Sequence, residues 1–207
     1  MCVALVALVG AGLAAGAATA GLVGGVLGGV LSPCSGQALA QPFLPWSDVS
    51  YYALAANGGF ENHPAGWVLS GNAAVVAGNE SYRVGSASDG SSLSLADGAS
   101  ALSSTACVGT LSPTMRFFVQ NTGVATATLR VDVVYSDALG VRWSVPVATV
   151  TGGPVWQPTA PLLLLANVTA LPLLTDGSAR VAFRFTAQGT GGSWRIDDVY
   201  VDPYKGS

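Results

Sequence analysis

A chain of 207 residues with 9% charged residues, a net charge of −3 and a sequence pI near 4.8 has room for one ordinary domain and a leader, but hardly for two domains. Nucleic-acid binding needs a basic footprint, which this balance lacks. The 27 glycines follow no strict period, which excludes collagen and favours loop-rich β structure.

The first charged residue is Asp48, and Val3–Leu31 is an uncharged run of almost only Val, Leu, Ala and Gly. Such a run is long enough to span a bilayer. It leads to Ala38-Leu39-Ala40 ahead of Gln41-Pro42, the small-x-small pattern that signal peptidase cuts. Residues 1–40 therefore read as a signal peptide. The missing basic flank and the long apolar run are expected if a basic segment precedes the present start. Two other readings stay open. The Gly-x3-Gly spacings at Gly12, Gly24 and Gly25 suit a retained membrane anchor. Leu31-Ser32-Pro33-Cys34 resembles a lipidation site, except for proline before the cysteine. All three place the remainder outside the cytoplasm, secreted or surface-held, touching a membrane only through an uncleaved leader. The cysteines, Cys2, Cys34 and Cys107, form no C-x-x-C pair, which argues against a zinc or thioredoxin-type site. Pairing of Cys34 with Cys107 depends on where the leader is cut.

Residues 41–56, with Pro42, Pro45, Trp46, Tyr51 and Tyr52, read as an extended lead-in whose aromatics cover a sheet edge. The domain proper is expected over 57–204. It opens with the turn Asn57-Gly58-Gly59, then Phe60-Glu61, and a loop reaching Trp67. Strands follow at Ala73–Ala77, Ser81–Val84, Ser92–Leu95, Ala101–Cys107, Thr114–Asn121, Thr126–Ser136, Val141–Thr151, Leu162–Val168, Ala179–Ala187 and Ser193–Val201. Turn signals such as Asp89-Gly90, Asp97-Gly98 and Gly152-Gly153-Pro154 separate them. Short, regularly punctuated strands without helical periodicity predict an all-β, two-sheet antiparallel sandwich.

Alternation assigns the faces. Leu129, Val131, Val133 and Tyr135 oppose Arg130 and Asp132; Val181, Phe183 and Phe185 oppose Arg180 and Arg184. In the last strand Trp194, Ile196, Asp198 and Tyr200 are expected inward, with Arg195 and Asp197 outward. If these strands lie in one sheet, Arg116, Arg130, Arg180, Arg184, Arg195, Asp132 and Asp197 form a single polar surface. It reads as a solvated face with weak ion pairs or as a groove for a sugar or anionic polymer, because the arginine fork suits carboxylate and sulfate.

The opening N-G-G-F-E at Asn57–Glu61, the pair Gly66-Trp67 and the closing I-D-D-V at Ile196–Val199 resemble galactose-binding-domain-like jelly rolls, nearest the CenC-type carbohydrate-binding modules. The resemblance implies a non-catalytic module that binds a polysaccharide or glycan. It also implies a structural Ca²⁺ between the first and last strands, held by Glu61 and one of Asp197 or Asp198. Calcium seeks several oxygen ligands, and an inward carboxylate at Asp198 would be costly unpaired. Trp67 and Trp194 occupy core positions of that family. Trp143 and Trp156 flank a glycine turn and are freer to stack on a sugar, with Arg130 and Arg184 as polar partners. The alternative role is a structural or adhesive surface sandwich with no sugar ligand. Catalysis has little to use: His63 is the lone histidine, without a nucleophile motif, and Glu61 and Glu80 are the only glutamates.

Overall fold

The computed structural model describes residues 37–109, 112–165, 168, 171–174 and 177–203. Cys2, Cys34 and most of the expected leader lie outside these residues. No helix among the described residues is long and apolar enough to cross a membrane. Cys107 is disulfide-bonded.

The chain is all-β. Its strands are β1 (Leu39–Ala40), β2 (Tyr52–Leu54), β3 (Trp67–Ser70), β4 (Ala73–Ala77), β5 (Ser91–Ala96), β6 (Ser100–Ser103), β7 (Ala106–Val108), β8 (Thr114–Asn121), β9 (Thr128–Ser136), β10 (Arg142–Val150), β11 (Gln157–Pro158), β12 (Leu162–Leu163), β13 (Ala179–Gln188) and β14 (Ser193–Asp202). Two antiparallel sheets stack as a sandwich. Sheet I runs β10-β9-β13-β6-β3, with β7 continuing the β6 side of β13. In sheet II, β14 is central. One side pairs with β8, and the other pairs first with β5 and then with β2. Between the sheets lie Leu129, Val131, Val133, Phe183, Phe185, Phe117, Val119, Trp194 and Ile196, all essentially inaccessible to water. Each such side chain contributes about 1.5–3 kcal/mol of apolar burial. Trp67 and Trp194 are both core residues, as their family-like positions imply.

Three differences from the sequence reading matter. The Ala101–Cys107 run breaks into β6 and β7. Of the expected Leu162–Val168 strand, Leu162–Leu163 form β12, Leu164 and Leu165 do not continue it, and residues 166 and 167 lie outside the described residues. Ser81–Val84 forms no strand, because the Glu80 carboxylate accepts the Tyr82 amide and, at 2.8 Å, the Val84 amide. A side chain that satisfies these donors locally replaces a ladder partner.

The lead-in is a working part of sheet II. β2 pairs with β14, and β1 extends that edge. Phe43 drops onto the outer face of the sheet and nucleates a second core with Tyr52, Phe118, Trp156 and Tyr200. Its ring lies 5.6 Å from Phe118 and 5.1 Å from Tyr52, and the Arg116 guanidinium sits 4.2 Å above it. Arg116 in turn pairs with Asp48 at 2.7 Å, so the strap is latched as well as packed.

Candidate functional site

The sequence pattern Ile196-Asp197-Asp198-Val199 builds a β-bulge. Asp197 pairs with Phe118 and Tyr200 with Arg116, so β14 spends one residue more than β8 over this step. Asp198 holds that extra position with φ of 48°. The insertion reverses the inside-outside parity. Val199 and Val201 take the core face, while Tyr200 turns outward into the second core. The expectations that Asp198 and Tyr200 share the Trp194 face, and that Asp197 joins a solvated face, are corrected here. Asp197 is 0% exposed. Its oxygens accept the Glu80 amide at 2.8 Å and the Asp198 amide at 2.9 Å.

The bulge lies where β14 exchanges partner β5 for β2, and the Asn57-Gly58-Gly59 turn docks into the gap. Ala55 N donates to Val199 O at 2.8 Å, and Val199 N donates to Gly58 O at 3.1 Å. A Cβ on Gly58 would stand 2.7 Å from Val199 O, so the turn needs glycine for close approach. Beside it opens a cavity of about 390 Å³ lined by Glu61, Asp89, Asp198, Asn57, Asn62 and Tyr200 among others. Gly59 and Gly85 leave room around the carboxylates: a Cβ on Gly85 would lie 2.6 Å from Asp89 Oδ2 and 3.1 Å from Asp198 Oδ1. Asp198 Oδ2 is buried without a hydrogen-bond partner. Burial first, then the charges of Glu80, Asp89 and Glu61, push the Asp198 carboxyl up to about 7. Burial and the Asp198 charge push Asp197 up to about 8 against the opposing amide of Glu80. Glu61 has a structural task, since its Oε1 accepts the Gly90 and Ser91 amides at 3.0 and 2.8 Å. Among the described residues no three His, Cys, Asp or Glu side chains are already grouped to hold a metal ion. The sequence alone missed Asp89, which a turn pattern presents only as punctuation.

The second feature is the outer face of sheet I. Cross-strand pairs share a face, so the register places Arg142 with Ser136, Pro146 with Asp132 and Arg184, and Thr149 with Arg130 and Thr186. Arg130 grips Asp132 through Nε, at 2.8 and 3.1 Å, and through Nη2 at 2.7 Å. Arg184 Nη1 reaches Ser144 Oγ at 3.4 Å. The outer face of sheet II is covered by the strap and the second core; on this one Pro146 and Ser144 are exposed and Val68 is 64% exposed, while Asp132, Val134 and Ala182 at its centre are buried beneath the longer side chains.

The structure thus brings Arg130 and Arg184 together but separates them from both tryptophans. Trp143 pairs with the inward-facing Tyr135, which puts it on the other side of β10, 48% exposed with its indole N–H on Asp137 Oδ2 at 2.9 Å. Trp156 is only 9% exposed, in the second core over sheet II, with the Arg195 guanidinium 5.7 Å from its ring. Nor is there one arginine surface. Arg116 and Arg195 belong to sheet II; Arg130, Arg180 and Arg184 belong to sheet I.

No protein-family model and no curated protein matches the chain. Solved structures do. The CBM22-1–GH10 modules of endo-1,4-β-D-xylanase 10B from Clostridium thermocellum, complexed with xylohexaose, superpose with a TM-score of 0.50 at 18% identity. That match covers 72% of this chain and 28% of the other. The chain shares the jelly-roll fold with that structure. The enzymatically active domain of tailspike protein 4 from bacteriophage CBA120 matches with a TM-score of 0.48 at 14% identity, over 71% of this chain and 21% of that one. A family 61 module complexed with β-1,4-galactotriose matches at 0.42 and 21% identity, over 72% and 96%. The chain therefore spans about a quarter of the length of the first two.

Proposed function

We propose that this protein is an exported, non-catalytic carbohydrate-binding module whose ligand surface is the outer face of sheet I. The observation that carries the reading is the asymmetry of the sandwich. One sheet of this sandwich is sealed by its own strap and second core, while the outer face of the other presents the Arg130–Asp132 pair, with Arg184 on the neighbouring strand in register with Asp132. The guanidinium groups offer donors to sugar hydroxyls, with buried Asp132 holding Arg130 in place, while Pro146 and Val68 supply apolar ground at the two edges of the face. The similar xylanase modules were crystallised with xylohexaose, which supports a saccharide as the ligand class. The purified protein on a glycan array is expected to retain at least one polysaccharide, and Arg130→Ala with Arg184→Ala to abolish that signal. Undiminished binding by the double variant would remove the face from consideration. A structural or adhesive role is favoured by one fact: Trp156 is committed to packing and Trp143 lies off this face. An array with no positive glycan would count against the saccharide reading and favour that role.

We also assign a calcium role to the bulge cavity. The residues fit the ion on two counts: the partnerless buried oxygen of Asp198, and the glycine-lined space around Asp198 and Asp89. Those two carboxylates would hold Ca²⁺ with Glu61 nearby. The other oxygens would come from main chain, amide side chains and water, since calcium takes about six to eight. Asp197 is spent on amides, which leaves Asp198 as the ligand of the pair. The ion would supply the positive charge that this carboxylate cluster lacks.

A further inference from the structure

We propose that the open face of sheet I takes an acidic glycan, one carrying carboxylate or sulfate groups, in preference to a neutral one; this rests on the reading of that face as the saccharide surface. The chain is acidic overall, yet its seven arginines divide into two sets by what they do. Arg83 donates to the Ala87 and Asp89 carbonyls. Arg116 is bound to Asp48 and the Thr159 carbonyl. Arg195 is bound to Ser92 and to the Ala77 and Gly78 carbonyls. These three are structural staples.

The other four belong to sheet I: Arg130, Arg142 and Arg184 project from its outer face, and Arg180, paired with Cys107, stands at the β7 end of that face, where it also lines a cavity with Gln37, Ala53 and Leu54. Alternation sets Arg180 on the Arg184 side of β13, and the register sets Arg142 beside Ser136 on the Arg130 side of β9. Arg142 and Arg180 are exposed and have no ion pair among the described residues. Among the described residues Arg184 has its long bond to Ser144 and no ion pair. Against these cations the described residues of the face include one acid, Asp132, already engaged by Arg130. The acids gather instead at the bulge of sheet II, where Glu61, Glu80, Asp89, Asp197 and Asp198 lie together. A surplus of unengaged guanidinium forks on an acidic protein has no packing purpose. Each fork fits a carboxylate or sulfate through two parallel hydrogen bonds, and the set attracts a polyanion before contact. No aromatic side chain stands on this face in the register, so ring stacking, on which neutral sugars depend, is not what the face offers.

The test uses the purified protein against four probes: a polyuronate, a sulfated galactan, neutral xylan and duplex DNA. Binding to the polyuronate or the sulfated galactan is expected, and which of the two binds identifies the anionic group. It should weaken about tenfold in Arg142→Ala/Arg180→Ala. It should also vanish near about 1 M salt, where the screening length falls to ~3 Å. Arg142→Lys/Arg180→Lys should recover only part of the loss, because charge returns without the fork. Equal or tighter binding to neutral xylan overturns the acidic preference but keeps the module. Equal binding to DNA reduces the face to an unselective polyanion surface and overturns the inference. Unchanged acidic-glycan affinity in the alanine variant also overturns it. No binding to any glycan overturns both this inference and the function beneath it.

Discussion

Asp198 is the residue at which fold and site meet. Its left-handed backbone makes the bulge, the bulge turns Tyr200 into the second core, and its carboxylate faces Asp89 across the glycine-lined cavity. Without a cation that arrangement is electrostatically unfavourable, and the sign follows from the shifts. Asp198 and Asp197 titrate near 7 and 8 in the fold, above the ordinary 3.8. The folded state therefore holds their protons more tightly than the unfolded chain does, and stability falls as pH rises from about 4 to about 8. In a chelator, the thermal midpoint is expected to drop between about pH 5 and pH 8. Millimolar calcium should raise the pH 8 value and flatten the slope. Asp198→Asn should reduce the slope and lose the calcium response. A midpoint indifferent to calcium across this range would remove the metal from the cavity. The acidic pair itself was legible in the sequence. Its geometry was not, because strict alternation cannot register one inserted residue, and a single insertion exchanges the faces of everything after it.

The strands of sheet I were readable because β9 and β13 are long and alternate without interruption. The lead-in reads as a cover in the sequence, but its depth does not show there. Prolines at 42 and 45 argue for extended chain, and nothing local announces that Phe43 is a core residue, 0% exposed, on the far side of a sheet. What gives it that place is tertiary: Phe118, Tyr52 and Tyr200 form a floor, and the Asp48–Arg116 pair closes the strap. Phe43→Ala is therefore expected to cost about 3–5 kcal/mol, as for any large aromatic removed from a packed interior. Urea unfolding followed by tryptophan fluorescence measures it. A loss below about 1 kcal/mol would mean the strap only rests on the sheet.

Over the whole molecule, charge is sorted by sheet: acids at the sheet II bulge, unengaged arginines on the outer face of sheet I, and an apolar core between. Composition concealed this, since a net charge of −3 averages two opposite ends. The separation has a thermodynamic consequence. Among the described residues no ion pair joins the two ends, and the sheets of a sandwich stand about 10 Å apart, roughly a screening length at 0.1 M salt. Coupling between distant sites requires an element with two arrangements that both sites bias, and a close-packed core supplies none by itself. Calcium at the bulge should therefore act on stability alone. At a temperature well below the unfolding transition, chelation is expected to leave glycan affinity within about twofold, which corresponds to the ~0.5 kcal/mol within which distant sites add. Titration calorimetry of a bound glycan with and without chelator decides the point. A tenfold loss on chelation would mean that the partner exchange along β14 is transmitted through Trp194 and Ile196 to sheet I, and the two ends would then have to be treated as one device.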